Sequence, residues 1–205
     1  MFYAIYEPVY VFLFKVDYFE MRMNMKKLRL IKQHDEKDCG VACLAMILKT
    51  YDSTVPISKL RILSGTNNQG TSAFGLVTAL ETLGFESEVF QTDDSIWKEK
   101  DLPFPFIAHV ILDEAFTHYV VVYGRKNGKI LIADPARGKL KKTPEEFNQE
   151  WTNIVLTTLP IATYKPIHDS TNGLFSFIPL LRSHKKTIVG IVFLSFLLTG
   201  FCCSG

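Results

Sequence analysis

Residues 38–52 read DCGVACLAMILKTYD, and this stretch sets the character of the chain. Val41, Leu44, Ala45 and Leu48 recur at i, i+3, i+4 and i+7, which predicts a helix with one apolar face. Asp38 stands where an N-cap residue belongs. Two further helical patterns follow. In PISKLRILSG (56–65) a proline opens the first turn and Gly65 closes the segment. In SAFGLVTALETLGF (72–85), Leu76, Val77, Leu80 and Leu83 share a face, Thr71 or Ser72 caps the start and Gly84 marks the stop.

Beyond residue 105 the pattern changes. FIAHVIL (106–112), HYVVVY (118–123), KILIAD (129–134) and NIVLTTL (153–159) are short β-branched and aromatic runs separated by turn residues. Thr143 and Glu146 have capping-box spacing with Pro144 between them, which predicts a short helix in TPEEF. Helices followed by strands imply an α+β domain, N-terminal helices packed on an antiparallel β-sheet, rather than alternating βαβ units.

The ends of the chain differ from this middle. Thr187 to Gly205, TIVGIVFLSFLLTGFCCSG, carries no charge and is long enough to be a transmembrane helix. Lys185 and Lys186 precede it, with Arg182 and His184 nearby, and basic flanks favour the cytoplasmic side. The expected location is therefore the cell membrane, with one span and the preceding domain in the cytoplasm. At the start, VYVFLF (9–14) is too short to span a bilayer and lacks the flanks of a signal peptide. The expected division is an appendage at 1–24 from an upstream start, a domain at 25–165, a linker with an interfacial segment at 166–186 and a span at 187–205.

Composition excludes several function classes. Lys and Arg number 23 against 21 Asp and Glu, a balance unlike that of a nucleic-acid binder. With 47% apolar and 21% charged residues, the chain is not wholly disordered. Its four cysteines form two close pairs, Cys39/Cys43 and Cys202/Cys203, with no paired CxxC motifs for structural zinc. No calcium-loop pattern occurs. GRKNGKI (124–130) lacks the glycine spacing and the Ser or Thr of a phosphate loop and reads as a hairpin turn. Neither a metal nor a cofactor is expected.

Four residues carry candidate chemistry. Cys39 falls at a predicted helix N-terminus, where free N–H groups and the helix dipole favour a thiolate, the reactive form of cysteine. Cys43, one turn deeper, reads as a packed small residue. A hairpin centred on Lys126 sets Tyr123 opposite Lys129 and His118 opposite Asp134, close enough for the carboxylate to orient the imidazole. Gln33, six residues before Cys39, can donate its amide to an oxyanion, with the Cys39 backbone N–H as second donor. Taken singly, each has a plainer reading: a structural thiol, a strand-end histidine, a turn-opening aspartate, a solvated glutamine. His34 reads as solvated, His109 as a core histidine, and Trp97 and Trp151 as packing anchors.

Together the four residues follow the order Gln…Cys…His…Asp of papain-like cysteine peptidases. Gln33, then Asp38-Cys39-Gly40, then His118-Tyr119-Val120-Val121-Val122, then Asp134-Pro135, more closely resembles the peptidase domain of bacteriocin-processing ABC exporters. The resemblance covers about residues 27–160 and continues through GLFSFIPLLRSHKK (173–186) into the apolar run. It implies a papain-like fold and a cysteine endopeptidase that cuts double-glycine leaders from bacteriocin or signalling peptides before export. It makes Cys39 the nucleophile, His118 the general base and later acid, Asp134 its orienting partner and Gln33 the oxyanion donor. Glycine at both substrate positions implies a narrow cleft, and an apolar patch would grip the leader helix. The remaining transmembrane and ATP-binding parts do not occur in this sequence, so a truncated product or a split exporter with partners on another chain is expected. The rival readings are a silent leader-binding module, which the presence of all four residues disfavours, and a truncated transporter remnant.

Overall fold

A short 3-10 turn, Glu36–Asp38, hands the chain directly into α1, Cys39–Thr50. The computed structural model describes residues 28–169 apart from 100, 101 and 114. In it α1 is buried from Cys39 through Leu48. The sequence pattern predicted one apolar face, but every side of these first turns is covered, as in a central core helix. Asp38 occupies the N-cap position without making the capping hydrogen bond expected of it. Its carboxylate is taken by Arg61 instead, with Nε at 2.8 Å from Oδ1 and Nη2 at 2.6 Å from Oδ2.

Two shorter helices flank α1. α2, Ile57–Leu63, starts behind Pro56 at its N-cap, and Gly65 with φ +61° leaves it in a left-handed conformation. α3, Ala73–Thr82, is capped by the Ser72 side chain, which accepts from the Gly75 N–H, and Gly84 with φ +86° follows its last turn. A methyl group at Gly75 would sit 2.1 Å from the Ser64 carbonyl oxygen, so only glycine lets α3 approach the end of α2 this closely.

The second half forms one six-stranded antiparallel sheet. Its strands are β1 (Phe85–Gln91), β2 (Phe106–Leu112), β3 (Phe116–Lys126), β4 (Lys129–Asp134), β5 (Gly138–Lys142) and β6 (Trp151–Pro160). Their spatial order is β1-β6-β2-β3-β4-β5. A short helix α4, Pro144–Asn148, precedes β6 and carries the expected capping box between Thr143 and Glu146.

Both faces of the sheet are covered, which explains the unbroken VVV of β3. Val121 joins Leu44, Leu48, Leu76 and Leu80 in the core under the helices. Val120 and Val122 join Phe106, Ile132, Phe147 and Trp151 in a second core on the other side. A strand buried on both faces needs apolar residues at every position rather than at alternate ones. Trp97 and Trp151 pack in this second core as the sequence suggested, with ring centroids 5.5 Å apart.

The two strands that the sequence pattern did not reveal are the two edges. β1, FESEVFQ, and β5, GKLKK, are rich in charge, the composition that protects an edge from unwanted pairing. The chain divides after His168 into two compact units, and all the elements above belong to the first. Among the described residues no helix is long and apolar enough to cross a membrane. The expected span at 187–205 and the expected appendage at 1–24 lie outside the described residues.

Candidate active site

Cys39 is the first residue of α1 and is 6% exposed. His118 lies near the start of β3 and Asp134 ends β4, and both are buried. The structure brings all three together. His118 Nε2 is 2.8 Å from Asp134 Oδ1, and the Cys39 side chain lies beside the same imidazole. With Nε2 engaged by the carboxylate, Nδ1 is the ring nitrogen left for the sulfur.

The hairpin that delivers this contact differs from the expected one. Asn127 and Gly128, with φ +53° and +73°, form a two-residue turn, so Lys126 pairs with Lys129 and the centre lies beyond Lys126. Near the turn Arg125 opposes Ile130. A bulge between Val122 and Gly124 then shifts the register, and Val121 opposes Ala133. One further step sets Val120 opposite Asp134, with His118 two residues away on the same face. His118 and Asp134 are therefore diagonal neighbours rather than a directly opposed pair. Without the bulge, Asp134 would face Val121 and its side chain would leave the sheet on the side opposite to His118.

Asp134 is satisfied on both oxygens. Oδ1 accepts from His118 and from the backbone N–H groups of Ala136 and Arg137, at 2.8 and 3.1 Å. Oδ2 accepts from Arg137 Nε at 2.6 Å. Burial alone would raise its pKa, but hydrogen bonds from His118 and Arg137 outweigh this and hold it well below the usual carboxylate range. Burial likewise disfavours a charged His118, yet its bonds to Asp134 and Cys39 win and raise its pKa to about 9. The site thus favours the protonated form of His118. The Cys43 thiol is fully buried below Cys39, and that burial pushes its pKa up, which suits the packing role expected of it.

Gln33 borders the same site. Its backbone N–H donates to the Pro135 carbonyl at 3.1 Å, tying the segment before Cys39 to the residue after Asp134. Its side-chain Oε1 is buried and has no hydrogen-bond partner among the described residues. An open groove of about 490 Å³ runs here between residues 32–36 and Pro135–Ala136. His34 is exposed, as expected. His109 is held by the Thr152 hydroxyl at 2.8 Å, also as expected.

Sequence reasoning missed the charged residues behind the site. Arg61 reaches Asp38 from 23 residues away, and Arg137 joins Asp134 to Glu150. Only the Asp134–Arg137 spacing of a turn gave any local signal, because the other partners are remote in sequence.

A helix-borne cysteine touching a strand-borne histidine, itself bound to a buried aspartate, is the arrangement of a thiol hydrolase. The peptidase C39 family matches residues 27–163. The chain belongs to that family. Over 171 residues, 82% of its length, this C39 chain is 50% identical to the lactococcin-G-processing and transport ATP-binding protein LagD of Lactococcus lactis subsp. lactis. It covers 24% of LagD, so it spans about a quarter of the length of that curated relative. The crystal structure of the peptidase domain of Streptococcus ComA, a bi-functional ABC transporter of a quorum-sensing pathway, is 40% identical with a TM-score of 0.63. That match covers 65% of this C39 chain and 99% of the ComA domain. A double glycine motif protease from an AMS/PCAT transporter, solved with its leader peptide, is 33% identical with a TM-score of 0.60 and coverages of 65% and 92%. The C39 fold is the expected one: N-terminal helices on an antiparallel sheet.

Proposed function

We propose that this chain is a cysteine peptidase that cuts the peptide bond after a double-glycine leader. The contact of His118 with both Cys39 and Asp134 carries this reading. The names of its relatives, which process and transport bacteriocins, support the substrate class. So does the double glycine motif protease solved with a leader peptide.

The chemistry follows from the groups in place. Cys39 sulfur attacks the carbonyl carbon of the second glycine, and the carbonyl π electrons move onto oxygen. The Gln33 amide and the Cys39 backbone N–H are suited to stabilise that oxyanion. His118 gives its Nδ1 proton to the departing amine, the C–N bond breaks and a thioester remains. Water then loses a proton to His118 and attacks the thioester. Collapse releases the leader carboxylate and returns the proton and the sulfur to their starting state. Asp134 keeps Nε2–H engaged throughout, so Nδ1 stays the working nitrogen. Gly40 supports the nucleophile's turn: a methyl there would lie 2.9 Å from the Thr71 Cβ.

The apolar run from Thr187 to Gly205 would tether the domain to the membrane, with the peptidase on the cytoplasmic side. In such an assembly the peptidase domain would work beside the transmembrane and ATP-binding parts of an exporter. The test is incubation of the chain with a synthetic leader ending in Gly-Gly and carrying a short cargo. Cleavage after the second glycine is expected, with a loss of at least about 10³-fold in the Cys39→Ala variant. Binding of the leader without cleavage by the wild type would favour a leader-binding module and overturn the peptidase reading.

A further inference from the structure

Behind the hydrolytic site a line of alternating charges crosses the sheet edge. Arg137 donates from Nε to Asp134 Oδ2 at 2.6 Å. Its two terminal nitrogens form a fork on Glu150, at 2.9 Å to Oε1 and 2.8 Å to Oε2. Lys142 Nζ is 2.6 Å from Glu150 Oε1. The side chains run from fully buried at Asp134 through 34% exposed at Arg137 to 25% at Glu150 and 19% at Lys142.

The backbone makes this line stiff. Arg137 sits in the turn that joins β4 to β5, where Asp134 pairs with Gly138. The Glu150 carbonyl accepts from Ile111 N–H at 2.7 Å, which fixes Glu150 to β2, the strand beside His118. The guanidinium thus holds Glu150 through a two-point fork and Asp134 through Nε, a fixed geometry that a flexible lysine at the same place would not give.

We propose that Arg137 is a positioning residue of this site, fixing Asp134 with one oxygen toward His118, and that Glu150 and Lys142 set how much of its positive charge that pair feels. The inference rests on the peptidase reading. Arg137 stands on the far side of the carboxylate from the imidazole. Its charge competes with the imidazolium for Asp134, and Glu150 offsets that competition. The groups facing His118 are Cys39 from α1, Asp134 from β4 and the neutral-leaning His109 from β2, whose charged form is disfavoured first by burial and then by His118. Tyr119 and Cys43 are nearby, and burial raises the pKa of both. None of these supplies a second cation to Asp134.

The sign of each variant is therefore fixed. Arg137→Gln removes the competing cation, so the imidazolium survives to higher pH and the alkaline limb of the kcat/KM profile moves up by about half a pH unit. Glu150→Gln leaves Arg137 less neutralised, so the same limb moves down. Arg137→Lys keeps the charge and loses the fork, so the limb stays near its wild-type position while kcat falls. KM for the leader is expected to change less than twofold, roughly, in all three, because none of these groups lines the open groove beside Gln33.

The experiment is a pH series of Gly-Gly leader cleavage by the full chain and these variants, with a thermal melt of each. Opposite displacements in Arg137→Gln and Glu150→Gln, with Arg137→Lys in place, support the proposal. Limbs that stay put in all three while kcat falls show a purely structural brace and overturn it. If Arg137→Gln does not fold, the Glu150→Gln displacement decides alone: downward supports, unmoved overturns. A wild type that cleaves nothing overturns the peptidase reading itself, a result distinct from an active wild type with unmoved limbs.

Discussion

The Gln33 backbone N–H donates to the Pro135 carbonyl at 3.1 Å, so the proposed oxyanion donor is joined to the residue that follows Asp134. Two segments about a hundred positions apart in sequence are thereby locked at the mouth of one site. Tyr123 adds a second clamp: its hydroxyl donates to the Arg29 carbonyl at 3.0 Å, holding the segment that enters the domain against β3. The segment that carries the proposed oxyanion donor is thus fixed at two points to the hairpin that carries His118.

The charged state of His118 predicts how stability depends on pH. Its pKa rises from the ordinary 6.5 to about 9 in the folded chain, so the native state binds the proton more tightly than the unfolded one. The stabilisation is complete below about pH 6.5, the unfolded value, and drains away as pH climbs through about 9. Thermal melts between pH 6 and 10, roughly, are expected to fall across that window in the wild type. In His118→Asn the same window is expected to be flatter. A wild-type melting temperature that rises from pH 7 to 9 would contradict the ion pair.

The register bulge in β3 makes a second prediction. Gly124 has φ +146°, a conformation that side-chain-bearing residues rarely adopt, yet a methyl there would meet no atom within 4 Å. Gly124→Ala therefore carries backbone strain alone, on the order of 1–2 kcal/mol. Relief of that strain by removing the bulge would turn Asp134 away from His118. Cleavage is expected to fall about 10²-fold, more than the stability loss explains. Gly128→Ala, also at positive φ but in the turn beyond the bulge, is the comparison: similar strain with activity retained. Equal activity losses in the two variants would show that the bulge does not set the site.

The same bulge marks what was legible in the sequence. The three longer helices and the four inner strands were readable, because each rests on a local pattern or spacing. That His118 and Asp134 belong together was also readable, but the route was not. The sequence reading centred the hairpin on Lys126, but the turn is Asn127-Gly128, and from that turn alone the two side chains fall on opposite faces. Only the extra residue at Tyr123–Gly124 reunites them. Edge strands β1 and β5 escaped because their charges hide the period. Arg61, Arg137 and Glu150 escaped because a salt bridge between remote residues leaves no trace in either neighbourhood.

Arg61 and Asp38 supply the last prediction. The Asp38 side chain is 2% exposed and directly precedes Cys39, while the Arg61 side chain that pairs with it is 46% exposed. The desolvated partner is the carboxylate, so removing the arginine strands a buried negative charge beside the proposed nucleophile. Arg61→Ala is expected to lower the melting temperature and to slow thioester formation, since a negative charge there opposes the oxyanion. Asp38→Asn in the Arg61→Ala background removes the stranded charge. The double variant is expected to melt above Arg61→Ala and to recover part of its rate, the coupling that a shared ion pair requires. Additive losses in that cycle, read by melting and by single-turnover cleavage, would mean that the pair contributes only packing.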